Sequence, residues 1–365
     1  LQQAATLADV KHPSTFGLRA RSGVELDKSM GGTQPMNLDI FSGLLFAPRE
    51  LHIPDGFLSP GVYIICWAIA VIAVGIALRR TDNELGERQI PLMGVLAAFI
   101  FAAQMLNFPV AGGTSGHLIG GALAAILLGP WAAILVMTAV VGVQALLFQD
   151  GGLLVLGANI LNMAVIAPVV GYATYTAVRQ FISDERLGTL VGGFAGAWLS
   201  VVAAAAATAL QLALSGTSAF SVAMPTMLGV HILIGIGEGL ITAGALAFIL
   251  ATRPDLLAVT GTVSTRGRVW WLVGLCIVLA LVLLAPLASS SPDGLERVAE
   301  DQGFLDAAKD PPYEIIAGYL FPGVGNEAAA TVLAGLVGTV IVFGIGFAVA
   351  YLIAGLRRSR RVTSS

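Results

Sequence analysis

Nine apolar runs, nearly free of charge, dominate this chain and limit what it can fold into: about 60–79, 90–108, 116–129, 131–148, 155–180, 189–214, 226–251, 270–288 and 328–354. Crossing the hydrocarbon of a bilayer takes roughly 20 mostly apolar residues per helix. Inside lipid every backbone N–H and C=O needs a partner within the protein, which a helix supplies along its own length. With 56% hydrophobic and 11% charged residues, the chain is far too apolar for a soluble domain. Its 44 glycines and many alanines suit helices that approach closely where no hydrophobic effect drives association. The expected fold is an all-α polytopic membrane protein. The third and fourth runs are separated only by Gly129-Pro130 and are read either as one broken element or as a tight helical pair.

Lys and Arg concentrate in short cytoplasmic loops, which gives an orientation. With His52 outside, the inside segments hold Arg79, Arg80, Arg88, Arg179, Arg186, Arg253, Arg266, Arg268, Arg357, Arg358, Arg360 and Arg361, against only Arg297 and Lys309 in outside segments after Leu51. Residues 1–50 contain scattered basic residues among Gly, Ser and Pro and have no apolar run of signal-peptide length. They are read as disordered, or as no part of the mature protein. The polar stretch 253–269 is expected to link a seven-span module at 51–252 to a two-span module at 270–365, whose outside loop, 289–327, is rich in acidic residues. That loop is read as a solvated acidic surface. Cys66 and Cys276 each lie within an apolar run and are expected as free thiols.

Two of the four histidines stand in turn-rich outside segments: His52 in HIPDGFLSP (52–60) and His117 in NFPVAGGTSGHLIGG (107–121). Imidazole ligates nickel, copper, zinc and iron well. These two segments resemble the CbiM/NikM family, the substrate-binding membrane subunits of energy-coupling-factor cobalt and nickel transporters, and the similarity covers about 51–251. The resemblance implies a metal held by a terminal amine, the next main-chain nitrogen, that residue's imidazole and a second histidine; the matching positions are Leu51, His52 and His117. The amine and amide nitrogens close a five-membered ring on the metal, and the amide with imidazole Nδ1 a six-membered one. A fourth nitrogen from His117 completes a square-planar set suited to Ni(II) rather than tetrahedral Zn(II).

Glu50 precedes Leu51 and turns the required amine into a peptide nitrogen. The family begins Met-His, so Leu51 is expected to be the mature first residue, read as Met from a leucine-type initiator codon. Asp55, Asn107, Thr114 and Ser115 are candidates for orienting the ligands through hydrogen bonds. Ser59-Pro60 reads as a helix start, and Ser115 as a cap for the helix entered by His117. His231 and Glu238, seven apart on one helix face, are expected as an internal polar pair that fixes helix packing.

The last two spans and Pro292-Asp293-Gly294-Leu295-Glu296 resemble the PDGLE-type CbiN/NikN accessory subunit, which implies a loop that helps load the metal near His52 and His117. The chain has no phosphate-binding G-x-x-x-x-G-K-[ST] loop. The resemblance therefore implies a transmembrane coupling subunit and cytoplasmic ATPase subunits as partners in a bacterial-type plasma membrane. Ni2+ or Co2+ is then the substrate; no permanent cofactor, nucleic acid or enzymatic activity is expected. The alternative is a self-sufficient divalent-metal permease or channel, marked by discontinuous helices or charged groups near the midplane. An intramembrane metalloenzyme lacks support, because no H-E-x-x-H occurs.

Overall fold

The computed structural model describes residues 52–84, 89–257 and 270–363. The 1–50 segment, Leu51, Arg88 and positions 258–269 of the expected linker, with Arg266 and Arg268, lie outside the described residues.

The chain is a helical bundle. In order, it forms α1 (Pro60–Glu84), α2 (Gln89–Gln104), β1 (Phe108–Val110), β2 (Thr114–Gly116), α3 (Gly121–Leu128), α4 (Pro130–Phe148) and α5 (Leu156–Gln180). Then come α6 (Glu185–Ser215), α7 (Phe220–Thr252), α8 (Trp270–Leu284), α9 (Gly294–Gln302) and α10 (Glu327–Thr363). Among the described residues six helices are long and apolar enough to cross a membrane: α1, α4, α5, α6, α7 and the Glu327–Gly355 part of α10. Their outward faces carry large apolar side chains such as Ile64, Ile65, Val71, Leu240 and Val340, as lipid contact requires.

The expected spans are corrected in one place. Residues 116–129 do not form a span: α3 has 8 residues, about 12 Å of rise against a hydrocarbon core of about 30 Å. Strand β2 and a left-handed Gly120 (φ 78°) precede it. Helices α2 and α8 are apolar elements of 16 and 15 residues, α8 continuing into a 3-10 turn at Ala285–Leu287. The Gly129-Pro130 step does separate two helices, α3 and α4, because Pro130 starts a new helix after Gly129 turns to φ 82°.

The starts and stops follow local chemistry. Asp184 accepts from the Leu187 N–H (2.7 Å) at the start of α6, and Gly216 ends that helix in the left-handed region (φ 76°). Small residues let α5 and α6 touch: a methyl at Gly196 would lie 2.5 Å from the Gly171 carbonyl oxygen. Helices α8 and α10 both pack on α2, where Ala98, Ala102, Val278 and Val282 form a shared buried cluster. The antiparallel ribbon β1–β2, in register Phe108↔Gly116 and Val110↔Thr114, is closed by Gly112 and Gly113, both at positive φ. It carries the glycine-rich motif to the rim of the bundle.

Candidate metal site

His52 lies in an extended segment just before α1, and its neighbour Ile53 is clamped at both ends of its backbone. The Ile53 N–H donates to Asn159 Oδ1 (3.1 Å), while the Ile53 carbonyl accepts from Asn159 Nδ2 (3.1 Å) and from the Gly152 N–H (2.9 Å). Two residues on, the Asp55 carboxylate accepts from the N–H groups of Leu153, Leu154 and Val155 (2.9–3.1 Å) at the N-terminus of α5. An anion there neutralises the positive end of the helix and satisfies donors that have no intrahelical partner.

This clamp brings His52 to His117, with ring centroids 5.7 Å apart and planes at 81°. Both line a cavity of about 80 Å³ together with His231, Asp293, Asn159 and Asn162. The His52 Nδ1 lies 3.2 Å from the Asp150 carbonyl oxygen and 3.2 Å from its Oδ1. Both are acceptors, so Nδ1 carries the proton. A metal bound at Nδ1, as the expected chelate requires, would displace this proton. The ring's other nitrogen, Nε2, is buried and has no hydrogen-bond partner among the described residues. Burial disfavours the His52 imidazolium, yet the Asp150 carboxylate beside it outweighs burial and holds the pKa above its ordinary 6.5. Burial pushes the Asp293 carboxyl up to about 7.

The residues expected to orient the ligands divide. Asp55 acts on the α5 terminus, as described. Asn107 accepts from the Ser289 N–H through its carbonyl (2.8 Å). Thr114 Oγ1 and the Ser115 N–H both donate to the Pro292 carbonyl (3.0 and 2.8 Å), and Ser115 Oγ donates to the Ser291 carbonyl (2.8 Å). Thr114 and Ser115 thus hold the 291–293 segment against the cavity. Ser115 is not the cap of α3. The N-cap is Gly120, with no side-chain cap, and Glu238 sits just before it, its Oε2 and Oε1 accepting from the Ile119 and Gly120 N–H groups (2.6 and 2.8 Å).

His231 and Glu238 do not pair. Seven residues of helix separate them by about 10 Å of rise, and His231 Nδ1 instead meets the Met227 carbonyl at 2.8 Å.

The loop 289–327 also differs from the expected solvated surface. Glu300, Asp301, Asp306, Asp310 and Glu314 are exposed, but Asp293 is buried at the cavity wall, where it caps α9 through the Glu296 N–H (2.6 Å). Sequence reasoning passed over Asp150 and Tyr319 as site residues. The acidic Gln149-Asp150-Gly151-Gly152 turn between two apolar helices was the one visible signal for Asp150. Among the described residues no three His, Cys, Asp or Glu side chains form a metal-ligating group, so a complete nitrogen set on this wall needs a donor beyond those side chains.

The site is thus one small cavity faced by two imidazoles within a multi-pass helical bundle. Residues 52–256 match the CbiM family, described as the cobalt uptake substrate-specific transmembrane region, and residues 267–355 match the PDGLE domain. The chain belongs to the CbiM family, in a form that carries a PDGLE domain after it. It is 36% identical to a protein of Archaeoglobus fulgidus named as a candidate fused nickel transport protein, NikMN, over 82% of this chain and 97% of that one. It is 35% identical to the fused nickel transport protein NikMN of Rhodobacter capsulatus, over 65% and 72%. A cobalt transport protein, CbiM, of Sorangium cellulosum is 34% identical over 57% of this chain and 94% of its own length.

Proposed function

We propose that this chain is the substrate-binding membrane subunit of an energy-coupling-factor importer for Ni2+ or Co2+, taking the metal at the outer face of the plasma membrane. One observation carries the reading: two imidazoles from segments 65 positions apart in sequence, His52 and His117, meet at one small cavity with their ring centroids 5.7 Å apart. The ligands are then the His52 ring, His117 and the nitrogen of position 51 as a mature chain end, with main-chain nitrogen of His52 as a further donor. Asn159 and Asp55 hold the His52 segment to α5 so that its donors meet His117 at one point. A coupling subunit and ATPase subunits supply the energy, since the sequence has no phosphate loop of its own.

The test is a Ni2+ and Co2+ titration of the purified chain together with its intact mass. Tight binding that His52→Ala and His117→Ala each abolish supports the reading. Undiminished binding by a chain whose mass includes residues 1–50 removes the terminal amine from the ligand set.

A self-sufficient permease is favoured by one feature, the broken passage of β2 and the half-helix α3, a form common in secondary transporters. Against it, the N-terminus of that half-helix is already filled by Glu238. Metal uptake into cells that lack the coupling proteins separates the two readings, and vigorous uptake there selects the permease.

A further inference from the structure

The two modules meet unevenly. Helix α8 of the PDGLE domain packs on α2 and α10, and between it and α7 lies a second cavity of about 570 Å³, bounded also by α2 and α3. Its floor is buried and apolar, with Leu92, Leu96, Leu123 and Leu127. Its lip is exposed and equally apolar, with Ile241, Phe248 and Val273. A space of this kind opens sideways onto hydrocarbon, and water gains nothing by filling it.

The wall turns polar at one end alone, where α7 finishes in Thr252 and Arg253. The Thr252 hydroxyl donates to the Phe248 carbonyl of its own helix (2.7 Å), so the group with donors to offer is the half-buried Arg253 guanidinium, which carries five N–H donors. From Ile241 to Thr252 the cavity follows about 16 Å of helix rise, close to the depth of one leaflet in a hydrocarbon core about 30 Å thick. Arg253 belongs to the basic set that the charge bias assigns to the cytoplasm. A second pair of interfacial residues stands close in sequence: Arg80 lies 5.9 Å from the ring of Trp131, four residues beyond Leu127.

We propose that this cavity holds one anionic phospholipid of the leaflet assigned to the cytoplasm, with an acyl chain between α7 and α8 and the phosphate on Arg253. One leaflet's depth of apolar wall ending in a single cation matches a lipid tail and its headgroup, and basic pockets between membrane helices on this side suit anionic headgroups. The lipid then joins the PDGLE domain to the CbiM region where their helices leave a gap. This inference does not depend on the metal site.

The full chain, stripped of lipid in mild detergent, is titrated with phosphatidylglycerol and with phosphatidylcholine under native mass spectrometry, as wild type, Arg253→Gln and Ala245→Phe. Wild type is expected to bind one phosphatidylglycerol about 5-fold more tightly than phosphatidylcholine, the weight of one arginine near a membrane surface. Arg253→Gln is expected to lose that preference and to keep its phosphatidylcholine affinity. Ala245→Phe, which puts a ring into the space, is expected to lose both lipids. In nanodiscs, phosphatidylglycerol with a photoreactive acyl chain is expected to label Leu96, Leu123 and Leu127, which are buried from the lipid around the bundle. Equal affinity for the two headgroups in wild type overturns the inference, as does a preference unchanged in Arg253→Gln, full lipid binding by Ala245→Phe, or label confined to Ile241, Phe248 and Val273. A dimer that Ala245→Phe disrupts, with no lipid bound, assigns the space to a second copy and overturns it too. Should Ala245→Phe fail to fold, Val273→Trp at the lip carries the same expectation, and undiminished lipid binding there counts against the inference.

Discussion

Two buried polar sites share the segment 114–121, and they are satisfied in opposite ways. At its inner end Glu238 is fully buried with both carboxylate oxygens on backbone N–H groups, at 2.6 and 2.8 Å. Toward its other end His117 faces His52, whose Nε2 is equally buried and has no hydrogen-bond partner among the described residues. A buried group with every lone pair engaged stabilises a fold. A buried group with one lone pair unengaged costs stability and persists where a ligand completes it. By this comparison the acidic residue within a span holds backbone in place, and the histidine pair is the better candidate for the proposed ligand site, although residue type alone suggests equal candidates.

The largest expected effect breaks the structural side. Glu238→Leu leaves the Ile119 and Gly120 N–H groups buried without acceptors, each costing about 1–3 kcal/mol. The outcome is a large loss of thermal stability in detergent or nanodiscs; a melting temperature within a degree of wild type would show that α3 does not depend on this carboxylate. On the functional side, His52→Ala or His117→Ala is expected to reduce Ni2+ affinity by about 100-fold or more while leaving the melting temperature of the metal-free protein nearly unchanged. Calorimetric titration beside a melting curve reads both at once, and a large stability loss with intact affinity would invert the comparison.

The lid over the cavity sharpens it further. A methyl at Gly294 would stand 2.7 Å from His231 Cε1 and 2.8 Å from Ile234 Cδ1, too close without movement. Gly294→Ala is therefore expected to cost about 1–3 kcal/mol, as overpacking does, and to loosen the 289–304 segment towards protease. Unchanged proteolysis would mean that the segment is held by Thr114 and Ser115 alone.

Acid is expected to act on the two properties in opposite senses. The pKa of His52 is raised above 6.5 and that of Asp293 is raised to about 7, so the folded metal-free protein prefers both groups protonated. Their contribution to stability is complete below the unfolded values of 6.5 and 3.8, and is lost as pH rises through the folded values. The metal-free protein should thus melt higher at pH 5 than at pH 8, while Ni2+ affinity falls over the same range because the metal must displace protons. Parallel trends would argue against His52 as a ligand.

The smallest effect belongs to the exposed pair Arg297–Asp301, with Nε 3.1 Å from Oδ2 one turn along α9. Arg297→Ala should change stability by no more than about 0.5 kcal/mol. A larger change would show that α9 contributes more to the lid than its buried face does.

Much of this protein was legible in its residues because the strongest signal, apolar run length, is a property of short stretches. It located all six long helices and the Gly129-Pro130 break, and the motif around His52 and His117 pointed to two imidazoles that the structure brings together. It overcounted at 116–129 because Leu, Ile, Gly and Ala there serve equally in a strand, a left-handed turn and a half-helix; hydropathy does not separate these, and packing does. It also mispaired His231 with Glu238, since shared helical phase says nothing of the distance along the axis.

Composition and local pattern alone determined a multi-pass helical membrane protein with histidine-bearing turns at one face, because the cost of placing backbone in lipid is set residue by residue. Tertiary structure alone decided which polar groups meet. Glu238 finds N–H groups 119 and 118 positions away, Asp150 reaches back 98 positions to His52, and Tyr319 reaches back 169 to Asp150. Such partnerships depend on how whole helices dock, and a buried hydrogen bond is strong enough to select its partner only once that docking has excluded water.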